Sequence, residues 1–183
     1  YVLGEPTYLS SMAEMTEAIL KSQLVYCGDY HTYRPSQATL LQVLGELVAA
    51  GKRVTLGVEC AISNHQRHLD QYLRGEINDK VFYRRVDWPR TWGFPWQSYR
   101  HIFEYARQSG IQVIGLNGPG NALRASLAMR DSHAADVIAT NMREDPDAVM
   151  VVQQGDFHVA PRHVPDKVQR LLGRKIERVI LLQ

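Results

Sequence analysis

Five short apolar runs punctuate the chain: QLVYC (23–27), RVTLGVE (53–59), IQVIGLN (111–117), AVMVVQQ (148–154) and RVILL (178–182). Helical periodicity fills most of the sequence between them. Nearly continuous apolar strands need cover on both faces, and helices between consecutive strands impose parallel pairing with right-handed crossovers. The expected fold is an α/β domain: a parallel or mostly parallel sheet flanked by helices.

The helical segments carry their own punctuation. Ser11-Met-Ala-Glu14 reads as a capping box, in which serine and glutamate satisfy each other's backbone donors at a helix start. Pro35 suits a helix opening, and Leu40, Leu41, Leu44, Leu47 and Val48 recur at helical spacing until Gly51 stops them. Further helices are expected over 96–109, around 121–144 and after Pro165. The polar and aromatic stretch 61–95 shows no strand pattern and reads as a helical insertion within one domain spanning 1–183. A chain of this length buries roughly 70% of its unfolded surface.

Composition narrows the classes of function. A formal net charge of +2 gives no nucleic-acid footprint and no acidic tail. No apolar stretch approaches the roughly 20 residues that cross a bilayer as a helix. Tyr1 stands first instead of methionine, so any secretion signal or lipoprotein leader would precede it, and the location is left open, a periplasmic or lipoprotein-anchored one being compatible. Cys27 and Cys60 are too few for a disulfide framework and read as buried thiols. HExxH, GxSxG, P-loop and CxxC patterns are all missing.

The strand exits are polar where a core would not choose polarity. The first run leads into Gly28-Asp29-Tyr30-His31 and the fourth into Gly155-Asp156-Phe157-His158, while Glu59 and Asn117 end the second and third. In open parallel sheets ligands bind beyond the carboxyl ends of the strands, so His31, Glu59 and His158 are expected on one rim. Two imidazoles and a carboxylate suit a divalent metal with an open position for water; without metal, a histidine acts as general base. Asp29 and Asp156 each precede a histidine by two residues, and either buttress it or simply form the turn. Arg130-Asp131 reads as part of the site or as a surface ion pair. His65 and His68 share a helix face at a metal-compatible spacing, but lie in the very polar NHQRHLDQYLRGE, which also reads as a solvated helix. Met12, Met15 and Met129 read as packing residues.

Taken in order, GDYH, GVE, NHQRHLDQYLRGE, GFPWQSY, LNGP, MRDSHAADVI and GDFH resemble a ChaN-like domain of the haem-binding uptake/Tiki superfamily. That superfamily is similar to TraB/PrgY proteins and erythromycin-esterase-like enzymes. The likeness runs from about residue 22 to 172, and Gln66-(x)3-Asp70 with Arg130-Asp131 narrows it to the ChaN branch. Asp29 stands where the family usually has glutamate.

The resemblance implies haem binding in bacterial iron uptake, with haem or another small molecule as partner; a homodimer is compatible with it. The Tiki and TraB relatives imply the alternative, a metal-dependent or esterase-like hydrolase. Its site would be His31, Glu59 and His158, with Arg130 and Asp131 beside it. A ligand-sensing module without chemistry is a third reading. For haem, Trp88, Trp92, Phe94 and Trp96 read as a flat apolar slot or as a loop clamped over the core, and Tyr72, Tyr83 and Tyr99 as phenolate donors to iron.

Overall fold

The computed structural model describes residues 11–118 and 125–182. The capping box forms as expected, Ser11 accepting from the Glu14 amide and Glu14 from Ser11, and opens α1 (Met12–Lys21). There follow β1 (Leu24–Asp29), α2 (Arg34–Ala49) with Pro35 in its first turn, and β2 (Val54–Ile62). The 61–95 stretch supplies a 3-10 turn (Ser63–His65), α3 (Gln66–Leu73), α4 (Asp79–Arg85) and α5 (Trp88–Thr91). Then come α6 (Gln97–Gln108), β3 (Gln112–Asn117), α7 (Leu127–Glu144) and β4 (Val149–Gly155). The last elements are α8 (Asp156–Val159), α9 (Val164–Leu172) and β5 (Arg178–Leu181). The start of the helical run expected around 121–144 falls partly outside the described residues.

The sheet order is β3-β2-β4-β1-β5, and every pairing is parallel. Inserting β4 between β1 and β2 decides where the site lies, because it sets GDYH, Glu59 and GDFH on three neighbouring strands. The two sheet faces have separate cores. On one, Val25, Cys27, Leu56 and Val58 pack under α2 and α6. On the other, Tyr26, Leu116, Met150 and Val152 meet Ala134, Ala135 and Ile138 of α7 and Val168 of α9. Small residues on α7 let that helix approach the sheet closely.

Two elements depart from expectation. Strand β2 does not stop at Glu59 but continues through Cys60, Ala61 and Ile62, with a register shift against β3 between Val58 and Ile62. Gly115 makes this close passage feasible: a Cβ there would lie 2.8 Å from the Ala61 carbonyl oxygen. Gln66 then closes the edge strand, donating to the Val113 carbonyl (2.7 Å) and accepting from the Gly115 amide (3.0 Å). A side chain thus satisfies edge groups of β3 that have no strand partner on that side. The second is the short helix α8, unannounced by the sequence, into which Asp156, Phe157 and His158 coil directly after Gly155 ends β4.

The tryptophan-rich segment belongs to the core. Trp88, Trp92 and Trp96 are all buried, and the Trp88 indole donates to the Phe94 carbonyl at 2.7 Å. Trp96 stacks on Phe103, and Phe82 stacks on Tyr72. The three tryptophans form the clamp over the core, while Phe94 stays partly exposed. Truncating a fully buried indole such as Trp88 to alanine would cost about 3–5 kcal/mol.

Candidate functional site

Strand β1 ends in a tight reversal, with Thr32 in the left-handed region at φ 53°. The reversal turns His31 back over Asp29, whose carboxylate can only accept hydrogen bonds. His31 Nδ1 therefore donates to Asp29 Oδ2 at 3.1 Å, and the Tyr99 hydroxyl donates to the same oxygen at 3.4 Å. Trp92 and Phe94 pack on the imidazole, with ring centroids 4.8 and 4.6 Å away. With Nδ1 engaged, Nε2 is the nitrogen left for a ligand or substrate.

Glu59 is buried at the centre of a second, charged set. Its Oε1 accepts from the Arg130 guanidinium and lies 3.3 Å from His158 Nε2, and its Oε2 accepts from the Gly155 amide at 2.7 Å. His158 Nδ1 donates to Asp131 Oδ1 at 2.6 Å, and His163 Nδ1 to Asp131 Oδ2 at 2.8 Å. Burial by itself lowers the His158 pKa, but the hydrogen bonds and charges of Glu59 and Asp131 outweigh it and hold the value above 6.5. Burial likewise raises Glu59, yet His158, the Gly155 amide and Arg130 together bring it below 4.5. His158 is thus clasped by two carboxylates, which favour its charged form.

The two repeats are therefore not equivalent. The sheet pairs Asp29 with Gly155 and Gly28 with Gln154, one residue out of step with the motif. A stagger of one residue sends corresponding side chains to opposite faces. Asp29 faces α6 and serves His31, whereas Asp156 lies over Gly28, where a Cβ would come within 1.9 Å of its Oδ1. The carboxylate of His158 comes from α7 instead. Of the two readings left open for these aspartates, the buttress is the one Asp29 takes, while the partners of His158 are Asp131 and Glu59.

These groups open onto two adjoining chambers at the carboxyl end of the sheet. One, of about 860 Å³, is mainly apolar, with Tyr30, Phe94, Phe157 and Leu182 among its walls. The other, of about 440 Å³, is lined by Glu59, Arg130 and His158, with Leu127 and Phe157 as apolar walls. His31, Gly155 and Phe157 line both. Tyr30 and Phe157 are exposed beside the opening.

His31, Glu59, Arg130 and His158 line one chamber, and Asp131 stands behind His158. Arg130 and Asp131 do not pair with each other; each bonds a different member of the site. Among the described residues no group of three His, Cys, Asp or Glu side chains is placed to hold a metal ion. The donor atoms explain why: Glu59 is taken up by Arg130 and the Gly155 amide, and both His158 nitrogens face carboxylates.

The aromatic donors read from the sequence lie elsewhere. Tyr72 is buried and donates to Asp79 at 2.8 Å, and Tyr99 is buried beneath His31. Burial raises the pKa of both phenols well above the ordinary value, which disfavours the phenolate. Tyr83 is exposed on α4 and lines neither chamber, and Trp92 lines neither but packs behind His31 and Phe94. Sequence reasoning missed Tyr30 and Phe157 as wall residues, although they sit inside the two motifs. It also missed His163, which carries no motif of its own. Met12 and Met129 are exposed, not packed, while Cys27 and Cys60 are buried free thiols, with the Cys27 pKa pushed up to about 12 by burial.

A family model described as haem-binding uptake, Tiki superfamily, ChaN matches residues 15–127. Among solved structures, the chain is similar to ChaN of Campylobacter jejuni, described for cofacial haem binding. The TM-score is 0.66 at 13% identity, covering 93% of this chain and 85% of that one. It is also similar to the C-terminal region of Pasteurella multocida toxin, described as holding a thiol-protease-like catalytic triad. There the TM-score is 0.59 at 14% identity, with 82% of this chain and 21% of that chain covered. RRSP, a MARTX toxin effector domain from Vibrio vulnificus, gives 0.59 at 13% identity, covering 88% and 35%. These identities show a shared fold alone, and the chain spans only a minor part of either toxin. No curated protein matches the chain.

Proposed function

We propose that this chain, which belongs to the ChaN family of haem-binding uptake proteins in the Tiki superfamily, binds haem in the cleft at the carboxyl end of its sheet. The observation that carries the reading is His31, whose Nδ1 is held by Asp29 while Nε2 has no partner among the described residues. A carboxylate on the far nitrogen fixes the tautomer of a metal-ligating imidazole and raises its basicity, and histidine is a common haem ligand. The larger chamber falls within the roughly 300–1,000 Å³ typical of cofactor clefts, and its aromatic walls suit a planar apolar body. Gly155 keeps the floor open: a Cβ there would sit 3.6 Å from Glu59 Oε2 and 3.7 Å from His31 Cε1. An exposed rim suits a ligand that is carried and handed on, as an uptake role requires.

Titration of the protein with haemin tests this. A saturable, shifted Soret band is expected, and Gly155→Val, which fills the floor, should weaken binding by roughly tenfold or more, about 1.4 kcal/mol. A spectrum that never departs from that of free or aggregated haemin would refute haem binding.

The Asp29–His31 pair also favours a second reading, hydrolysis without metal. An imidazole oriented by a carboxylate is a general base, and Arg130 with His158 beside it would stabilise an oxyanion. Both cysteines are buried and line neither chamber, so water activated by His31 is the nucleophile. Ester hydrolysis that persists in chelator and is lost in His31→Ala would support this reading. Hydrolysis that needs an added divalent metal, or survives His31→Ala, would oppose it.

A further inference from the structure

A second hydrogen-bonded pair stands at the carboxyl end of the sheet and lines neither chamber: Ser63 Oγ lies 3.0 Å from His133 Nε2. Both side chains are half-buried, and neither has another hydrogen-bond partner among the described residues. The run-on of β2 places the serine. The strand passes Glu59, continues to Ile62 and leads straight into the 3-10 turn that Ser63 opens. A strand-to-helix turn projects its side chain off the end of a parallel sheet, where a hydroxyl meets a ligand. His133 comes from α7, one turn after Arg130. Gly118, just past β3, flanks the imidazole: a Cβ there would lie 3.5 Å from His133 Cγ and 3.6 Å from Cδ2. Any side chain at that position would pack on the ring, and glycine leaves that side of it clear. A hydroxyl that donates to Nε2 puts the ring proton on Nδ1, the tautomer in which the imidazole can accept the serine proton. The histidines paired with carboxylates among the described residues are His31, His158 and His163, so Ser63 and His133 make a dyad without a third member.

From this we infer that Ser63 and His133 form a nucleophile–base pair that cleaves small acyl esters, at a site apart from the haem cleft. A nucleophile and a base within hydrogen-bond reach are the minimum such a site needs. Ser63 Oγ attacks the acyl carbon while its proton passes to His133 Nε2. The bond to the alcohol oxygen breaks, and the alcohol leaves with that proton. Water then attacks the acyl-serine, giving a proton to the same nitrogen; the carboxylic acid is released and the proton returns to the serine oxygen. The site is independent of both readings of the cleft. A hydrogen bond that only fastened α7 to the end of β2 would leave Ser63 no more nucleophilic than any other serine, so reactivity separates the two roles.

The probe is an alkyl fluorophosphonate, whose phosphorus is attacked by an activated serine oxygen with loss of fluoride, read by mass spectrometry of the peptides. An adduct on Ser63 is expected. His133→Gln keeps a hydrogen-bonding partner for Ser63, and so protects the fold, but cannot take up the proton. It should slow labelling roughly 100-fold or more, the lower end of what a general base contributes. Ser63→Ala should abolish both the adduct and the burst of p-nitrophenol from p-nitrophenyl acetate. His31→Ala should leave both in place, which separates this site from hydrolysis in the cleft. Thermal melts verify the folding of each variant. No adduct on Ser63 in the unaltered protein would overturn the dyad. Labelling at an unchanged rate in a folded His133→Gln would overturn it too, since only the fastening role predicts that.

Discussion

Asp29 of β1 stands opposite Gly155 of β4, one residue out of step with the repeat to which both belong. The offset makes the two histidines different chemical objects. His31 has one carboxylate neighbour and a ring nitrogen to spare, whereas His158 is held at both nitrogens by Asp131 and Glu59. One sequence motif, used twice, yields one imidazole with Nε2 open to the cleft and one buried between two carboxylates.

Gly28→Ala tests the stagger. The new Cβ would come within 1.9 Å of Asp156 Oδ1 and 3.1 Å of the Leu181 carbonyl oxygen, so the Asp156 side chain must move. A loss of about 1–3 kcal/mol in urea denaturation is expected, as for overpacking elsewhere. Adding Asp156→Ala should recover part of that loss. Equal destabilisation in the single and double variants would show that the two residues are not coupled.

Asp29→Asn tests the buttress on His31. The amide keeps the size of the side chain and removes its charge, so the tautomer and orientation of the imidazole become less fixed. Haemin affinity should fall about 10–100-fold, the usual cost of losing an outer carboxylate behind a ligating histidine. Unchanged affinity and an unchanged spectrum would mean that His31 does not act through Asp29.

The buried ion set makes a pH prediction with a definite sign. The pKa of His158 is raised above 6.5 in the folded state, so its stabilisation is complete below 6.5 and is lost as pH climbs through the raised value. Glu59 is lowered below 4.5, so its contribution is present above 4.5 and is lost as pH falls through the lowered value. Melting temperatures across the acid-to-alkaline range should therefore show the stability gap between the unaltered protein and His158→Asn shrinking as pH rises past the raised value. A gap that is constant or grows on the alkaline side would mean that His158 is buried neutral.

Much of the fold was legible because strand and helix periods rarely conflict in this chain. QLVYC, IQVIGLN and AVMVVQQ declare buried parallel strands, and the Ser11–Glu14 box and Gly110 mark helix limits with local chemistry. The continuation of β2 past Glu59 was hidden because it depends on a close pass against Gly115 and a side chain from Gln66, both distant in sequence. At the site, His31, Glu59 and His158 were readable from their strand exits, since parallel sheets bring such exits together. Asp131's service to His158 was not, because the register between β1 and β4 decides it and no local pattern encodes register by one residue. The tyrosines misled for a related reason: Tyr72 and Tyr99 repeat at core-facing helical positions, and burial took both phenols out of reach of a ligand.

The most direct test of the central claim is the absorption spectrum of the haemin complex in His31→Ala, set beside Tyr72→Phe, Tyr83→Phe and Tyr99→Phe. Ligation by His31 Nε2 predicts that His31→Ala abolishes or markedly moves the shifted Soret band. The Tyr72 and Tyr83 variants should keep it, and Tyr99→Phe should perturb it only slightly, through Asp29. A band unchanged in His31→Ala and lost in one of the tyrosine variants would contradict the account and move the iron away from the strand-end cleft.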